Sequence, residues 1–232
     1  MTTLERLVDL GQRQSRPPEV TEATKCILVH DLAIALSARP LIGHLLTDPS
    51  DDGEALDLAT GRRVDLASAV MRNGQLVHAF TQDETLLPAM THVGATSIPT
   101  LLALGEAHDA STEDLLAGFA TAFAAAEVVG APVAVSLSGK GVRPTPMIGP
   151  VAAVVGAARM FGWPAERLTR AVGRVASVAC GTNQPWVDGS QDWLFQISTA
   201  GLVALTAAMS SASPWAPARD PFWGKEIGRA HV

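Results

Sequence analysis

Ser111-Thr112-Glu113-Asp114-Leu115-Leu116-Ala117-Gly118-Phe119-Ala120-Thr121-Ala122-Phe123 decides the fold class. A serine three residues ahead of an aspartate can cap the first free amides of a helix, and Leu115, Leu116, Phe119 and Phe123 then recur at helical spacing. The apolar text runs on to Leu137, but it contains Glu127 and Pro132 and is mainly Ala, Gly and Val, which insert poorly into a bilayer. It reads as a core helix, not a membrane span. Glu127, in apolar surroundings, is expected to be held by a structural hydrogen bond.

The same periodicity appears on both sides. Residues 4–14 and 21–37 each carry an apolar face, broken at Pro17-Pro18; residues 64–80 are helix-like again, and Pro99 starts or kinks a helix through Ala107. Further on, Pro150 opens a helix over 151–161 that Gly162 closes, Pro164 opens another over 165–179, and a small-residue helix covers 190–210. Residues 47–63, with Asp48-Pro49-Ser50-Asp51-Asp52-Gly53, read as a surface connection. Only residues 133–137 alternate, and they suit a short strand or a loop equally. The expected class is all-α, with two polar loops, 81–94 and 130–149, as candidate site loops.

Composition narrows the function. Hydrophobic residues make up 47% of 232, enough for a core, while aromatics at 5% leave Ala and Val to fill it, so helices must pack closely. A net charge of −6 without a Lys/Arg stripe argues against nucleic-acid binding. Glu5 and Asp9 near the start do not fit a secretory signal, so a cytoplasmic protein with no membrane partner is expected. Cys26 and Cys180 are too few for a disulfide scaffold or a thiolate metal site and are expected to be buried thiols. His30, His44, His78 and His108 show no ligand spacing, and Gly139-Lys140-Gly141 lacks a phosphate-loop pattern, so no metal and no cofactor is expected.

Seven short motifs in order resemble the MmgE/PrpD family, from about His30 to Ala208. They are Asn73-Gly74 followed by His78-Ala79, Gln82-Asp83-Glu84-Thr85 in place of an Asp-rich stretch, and Thr91-His92-Val93-Gly94-Ala95 in place of His-Pro-Gly-Ala. Pro99 to Glu106, Glu127-Val128, Arg143-Pro144-Thr145 in place of His-Pro-Thr, and Ala157-Ala158-Arg159-Met160-Phe161-Gly162 complete the set. The resemblance implies a helical amino-terminal domain followed by an α+β lid domain, a dimer, and metal-free acid–base chemistry on small polycarboxylates, as in 2-methylcitrate dehydratase, cis-aconitate decarboxylase and iminodisuccinate epimerase. On this reading residues 1–223 are the helical domain, and Glu226 to Val232 match the translation of a sequencing adapter, making 224–232 a non-native tail and the fragment inactive alone.

Carried over residue by residue, the resemblance makes His92 the base or acid and Asp83 its partner. Arg143, with Lys140, Gln82 and Gln196, is assigned to the substrate carboxylate. The plainer readings are a loop histidine bonded to backbone, a solvated acidic pair at 83–84 and an exposed lysine. Thr81 stands where the family has an acid, Arg143 where it has a histidine, Trp193 where it has a catalytic lysine and Gln196 where it has another histidine. These losses keep open an epimerase and a non-catalytic helical dimerisation module beside the lyase reading.

Overall fold

The computed structural model describes residues 1–13, 17–49, 51–217 and 221–222; the adapter-like tail lies outside the described residues. Among these the architecture is all-α apart from one small hairpin. The helices are α1 (Thr3–Gln12), α2 (Pro18–Ile42), α3 (Leu66–Val77), α4 (Gly94–Ala107), α5 (Thr112–Gly130), α6 (Ala134–Gly139), α7 (Pro144–Met160), α8 (Ala165–Val178), α9 (Gln184–Asp188) and α10 (Asp192–Ser210).

Helix α5 begins as its sequence prescribes, with the Ser111 hydroxyl accepting from the Asp114 amide at 3.1 Å. It packs along α7, the central helix, of which every residue except Met147 and Arg159 is buried. Glycines set the closeness of that packing. A Cβ at Gly118 would lie 3.0 Å from the Gly156 carbonyl oxygen, and one at Gly156 would lie 2.7 Å from that of Gly118. The backbones touch there, which a core poor in aromatics allows. Helices α4, α10, α8 and α1 pack around the other sides of α7.

Several expectations are corrected. Residues 47–63 are not a plain surface connection: Asp51–Leu56 (β1) pairs antiparallel with Arg63–Val64 (β2), and Ala55, Asp57, Ala59 and Val64 are buried. Polar anchors that local periodicity does not reveal hold the hairpin. Arg72 on α3 grips Asp57 at 3.0 and 3.1 Å and donates to the Thr47 carbonyl. Asn73 accepts from the Leu58 amide and donates to the Leu56 carbonyl, each at 2.8 Å, while the Leu56 amide donates to Glu106 on α4 at 2.6 Å.

Residues 133–137 are neither strand nor open loop, because α6 covers most of them, and Pro150 lies inside α7 rather than at its start, which is Pro144. Cys26 and Cys180 are exposed, not buried. Glu127 also reaches solvent, so its charge needs no structural partner.

By length and composition α2 and α10 are apolar enough to cross a membrane. Much of α10 nevertheless lies in the core, including Ile197, Ala200, Ala204 and Ala208, whereas α2 leaves Val29, Leu36 and Leu41 exposed.

Candidate active site

Four helix ends meet at one place. His78 caps the carboxyl end of α3, His92 precedes α4, Arg143 is the N-cap of α7, and Trp193 and Gln196 lie in the first turns of α10. Between α3 and α4 the chain makes a folded loop, with Thr81 at φ +52 and a short bridge between Leu86 and Thr91. A second bridge, Val142 with Thr182, and the Arg143 amide donating to Gly181 at 3.2 Å tie the start of α7 to the segment before α9.

Asp83 lies at the centre, buried, with His78 Nδ1 2.8 and 2.9 Å from its two oxygens. His92 Nδ1 is 3.4 Å from Asp83 Oδ1, close enough to pair as ions but not aligned as a hydrogen bond. The His92 amide donates to the Thr145 hydroxyl at 3.3 Å, and that threonine belongs to the Arg143-Pro144-Thr145 motif. On the far side of His78, Arg143 Nη2 lies 2.7 Å from Nε2. An arginine can only donate, so Nε2 accepts and the Nδ1 proton goes to Asp83. This network assigns His78 as the neutral Nδ1–H tautomer.

The electrostatics follow from this chain of contacts. Burial disfavours the charged form of His78 and, joined by the nearby Arg143 charge, outweighs Asp83, so its pKa falls below 6.5. His92 is also penalised by burial, but the Asp83 carboxylate at 3.4 Å and the Asp83 backbone together exceed that penalty and raise its pKa above 6.5. For Asp83 burial is again the largest influence and would raise the carboxyl. The two histidines outweigh it and hold the pKa below 3.8. Burial brings Arg143 down to about 10, which leaves it a cation at neutral pH.

Arg143 also donates from Nη1 to the Trp193 carbonyl at 2.9 Å and to Gln196 Oε1 at 3.3 Å, and its guanidinium lies 5.3 Å from the Trp186 ring centre. Trp186 stacks on Trp193, whose ring meets His78 edge-on. Donor atoms of His78, Asp83 and His92 fall within 4.8 Å of one another, a spacing that could suit a cation. However, the single lone pair of neutral His78 is already used by Arg143, and a guanidinium supplies the positive charge. The set therefore fits a proton-handling cluster better than a metal site.

The structure thus brings Asp83, His92, Arg143 and Gln196 together. Gln82 and Lys140 are exposed, and neither side chain is bonded to the cluster among the described residues. Sequence reasoning passed over His78 because it sought metal spacing. Its signal was its place five residues before Asp83 at a helix end. It also missed Trp186, Asp31 and the enclosed carboxylate oxygen of Glu84. A groove of about 800 Å³ between α8 and α10, lined by Val178, Leu202, Val203 and Trp215, is apolar and lacks this chemistry.

A helical domain with a buried carboxylate between two histidines, backed by an arginine, is equipped for acid–base work. The family model for the MmgE/PrpD N-terminal domain matches residues 4–221, and the chain belongs to that family. Among curated proteins no significant match is found.

Proposed function

We propose that this chain is the helical part of a lyase that acts beside a carboxylate of a small polycarboxylate, in the manner of a 2-methylcitrate dehydratase. The observation that carries the reading is Asp83 placed between His92 and a neutral His78 that is itself bonded to Arg143. Three helices, α4, α7 and α10, begin around this cluster, and helix amino termini favour an anion.

On this reading neutral His92 takes the proton from the carbon next to the carboxylate. The Asp83 charge stabilises the imidazolium that results, and the same proton then passes to the departing hydroxyl, releasing water as the double bond forms. Three of the five Arg143 N–H groups are engaged within the protein, on Trp193, Gln196 and His78, which leaves two for the substrate carboxylate or its enediolate. Gln196 orients Arg143, while Lys140 and Gln82 flank the approach. The proposal includes a cytoplasmic homodimer, whose association sedimentation would test, and requires no metal or cofactor.

Epimerisation of a small dicarboxylate is the second reading. It is favoured by Trp193 standing in the cluster where the family resemblance places a lysine, so that one proton-transfer group is missing. In that reaction the proton returns to carbon.

The test joins the chain to the α+β half its family carries and follows candidate polycarboxylates in deuterated water, where elimination and exchange give different products. His92→Ala should leave the circular dichroism unchanged and lower turnover about 10²–10⁴-fold. Full turnover in that variant would refute the reading. Absence of turnover in the unaltered protein, with ligand affinity indifferent to His92, would favour a binding module instead.

A further inference from the structure

Beside the cluster lies a second group of acids that the chemistry above does not use. Asp31, in the middle of α2, is completely buried, and Glu84 follows Asp83 on the 81–94 loop. Glu84 is only half-buried as a residue, but its Oε2 is closed off from solvent. Two backbone bonds fix the group. The Gly94 amide donates to Glu84 Oε1 at 2.6 Å, and the Glu84 amide donates to Asp31 Oδ1 at 3.2 Å.

The remaining oxygens, Asp31 Oδ2 and Glu84 Oε2, are both buried and meet no donor. Both crowd the same point, since a Cβ built on Gly94 would collide with each of them. Two buried carboxylates left this way would repel each other with nothing between them, whereas one proton placed between the oxygens converts the repulsion into a hydrogen bond.

We propose that Asp31 and Glu84 share a single proton and act as a latch, fastening the 81–94 loop to α2 and thereby holding Asp83 and His92 in register. They are positioning residues, and their bearing on catalysis rests on the acid–base reading of the cluster. The latch spans the loop economically: Glu84 is the neighbour of Asp83, and its partner Gly94 stands two residues after His92. The absence of a side chain at position 94 lets the acids close over the start of α4.

The charged and titratable groups around the pair are few. Helix α2 presents Asp31 itself and His30, whose Nδ1 lies 3.0 Å from Asp31 Oδ1 while its ring is half exposed; the loop presents Asp83 and, beyond it, His92; α4 presents only the Gly94 amide. Burial first, then the hydrogen bond and charge of Asp31, raise the Glu84 pKa well above 4.5. A carboxyl that holds its proton more tightly when folded contributes its full stability below the unfolded value, near 4.5, and loses it as pH rises toward the folded value.

Glu84→Gln is the decisive variant, because an amide keeps the acceptor for Gly94 and supplies Asp31 with a permanent donor. Unfolding of the full chain is measured from pH 4.5 to 9 for both proteins. The variant should gain on the parent as pH rises, by up to tenfold in the unfolding equilibrium constant per pH unit until Glu84 ionises. The histidines common to both proteins cancel in the difference. Parallel curves would overturn the shared proton.

The positioning role is read from the His92 ring resonance. Glu84→Gln should keep the His92 titration midpoint above 6.5, and Glu84→Ala, folded by circular dichroism, should lower it by freeing the loop from α2 and letting His92 move away from Asp83. An unchanged midpoint in the alanine variant would overturn the latch. Should Glu84→Ala not fold, Asp31→Ala takes its place under the same criterion. Neither measurement uses turnover, so failure of the latch and failure of the lyase reading are told apart.

Discussion

Asp83→Asn isolates the charge that organises the cluster. Asparagine keeps the shape of aspartate, and its oxygen can still accept from His78 Nδ1, so the loop should stay in place; what disappears is the anion 3.4 Å from His92 Nδ1. Two unit charges at that separation interact by about 5 kcal/mol at an effective dielectric of 20. The imidazolium charge is spread over both ring nitrogens and the side chain is 21% exposed, so about half of this, ~2.5 kcal/mol, is the working value. That loss lowers the ratio of charged to neutral His92 more than about tenfold at any pH. With the carboxylate gone, burial and Arg143 oppose the charged ring and the bond to the Asp83 backbone still favours it, so the midpoint should fall. Two-dimensional NMR of the imidazole protons reads the midpoint. A His92 midpoint equal to that of the parent would refute the claim that the Asp83 charge sets its protonation, and with it the assignment of His92 as the proton carrier.

Turnover in the assembled enzyme should rise with pH through a midpoint above 6.5, because the base form of His92 is the reactive one, and a pH–rate profile checks this. Asp57→Ala should destabilise the protein by about 3–5 kcal/mol by stranding the buried Arg72, measured by denaturant unfolding at pH 7. Asp57 is depressed below 3.8, because its bonds to Arg72, Thr60 and the Ala59 amide overcome burial. Its contribution is therefore present above that pH and fades as pH falls through the folded value, so the gap between parent and variant should narrow in acid. Arg143→Lys keeps a positive charge but cannot reach His78, Trp193 and Gln196 together, and should cost ~1–3 kcal/mol in thermal unfolding by leaving an acceptor unpaired.

Fold class was legible because the helices are written in local periodicity and caps. Ser111 caps α5 as read, and Pro164 precedes α8 as read. The hairpin was not legible, since its anchors come from elsewhere in the chain: Asn73 and Arg72 from α3, Glu106 from α4. That finding also explains part of the family pattern. The asparagine of Asn73-Gly74 and the glutamate ending the 99–106 motif hold the hairpin. Asp83 and His92 stood out in the sequence by their place in a polar loop and by resemblance. His78 was marked only by its place at a helix end five residues before Asp83, and Asp31, inside α2, had no local mark distinguishing it from an ordinary polar residue of a helix.

By itself the sequence determined that the chain is mostly helix, that the helices must pack closely, and which family of chains this one joins, because those properties depend on neighbours along the chain. Only the tertiary structure decided which ionisable groups meet. The 2.7 Å contact of Arg143 with His78 crosses 65 positions, and the bond from Glu84 to Asp31 crosses 53. The proton affinity of a buried acid or imidazole is set by what lies within a few ångströms of it, and in this protein those neighbours arrive from other helices.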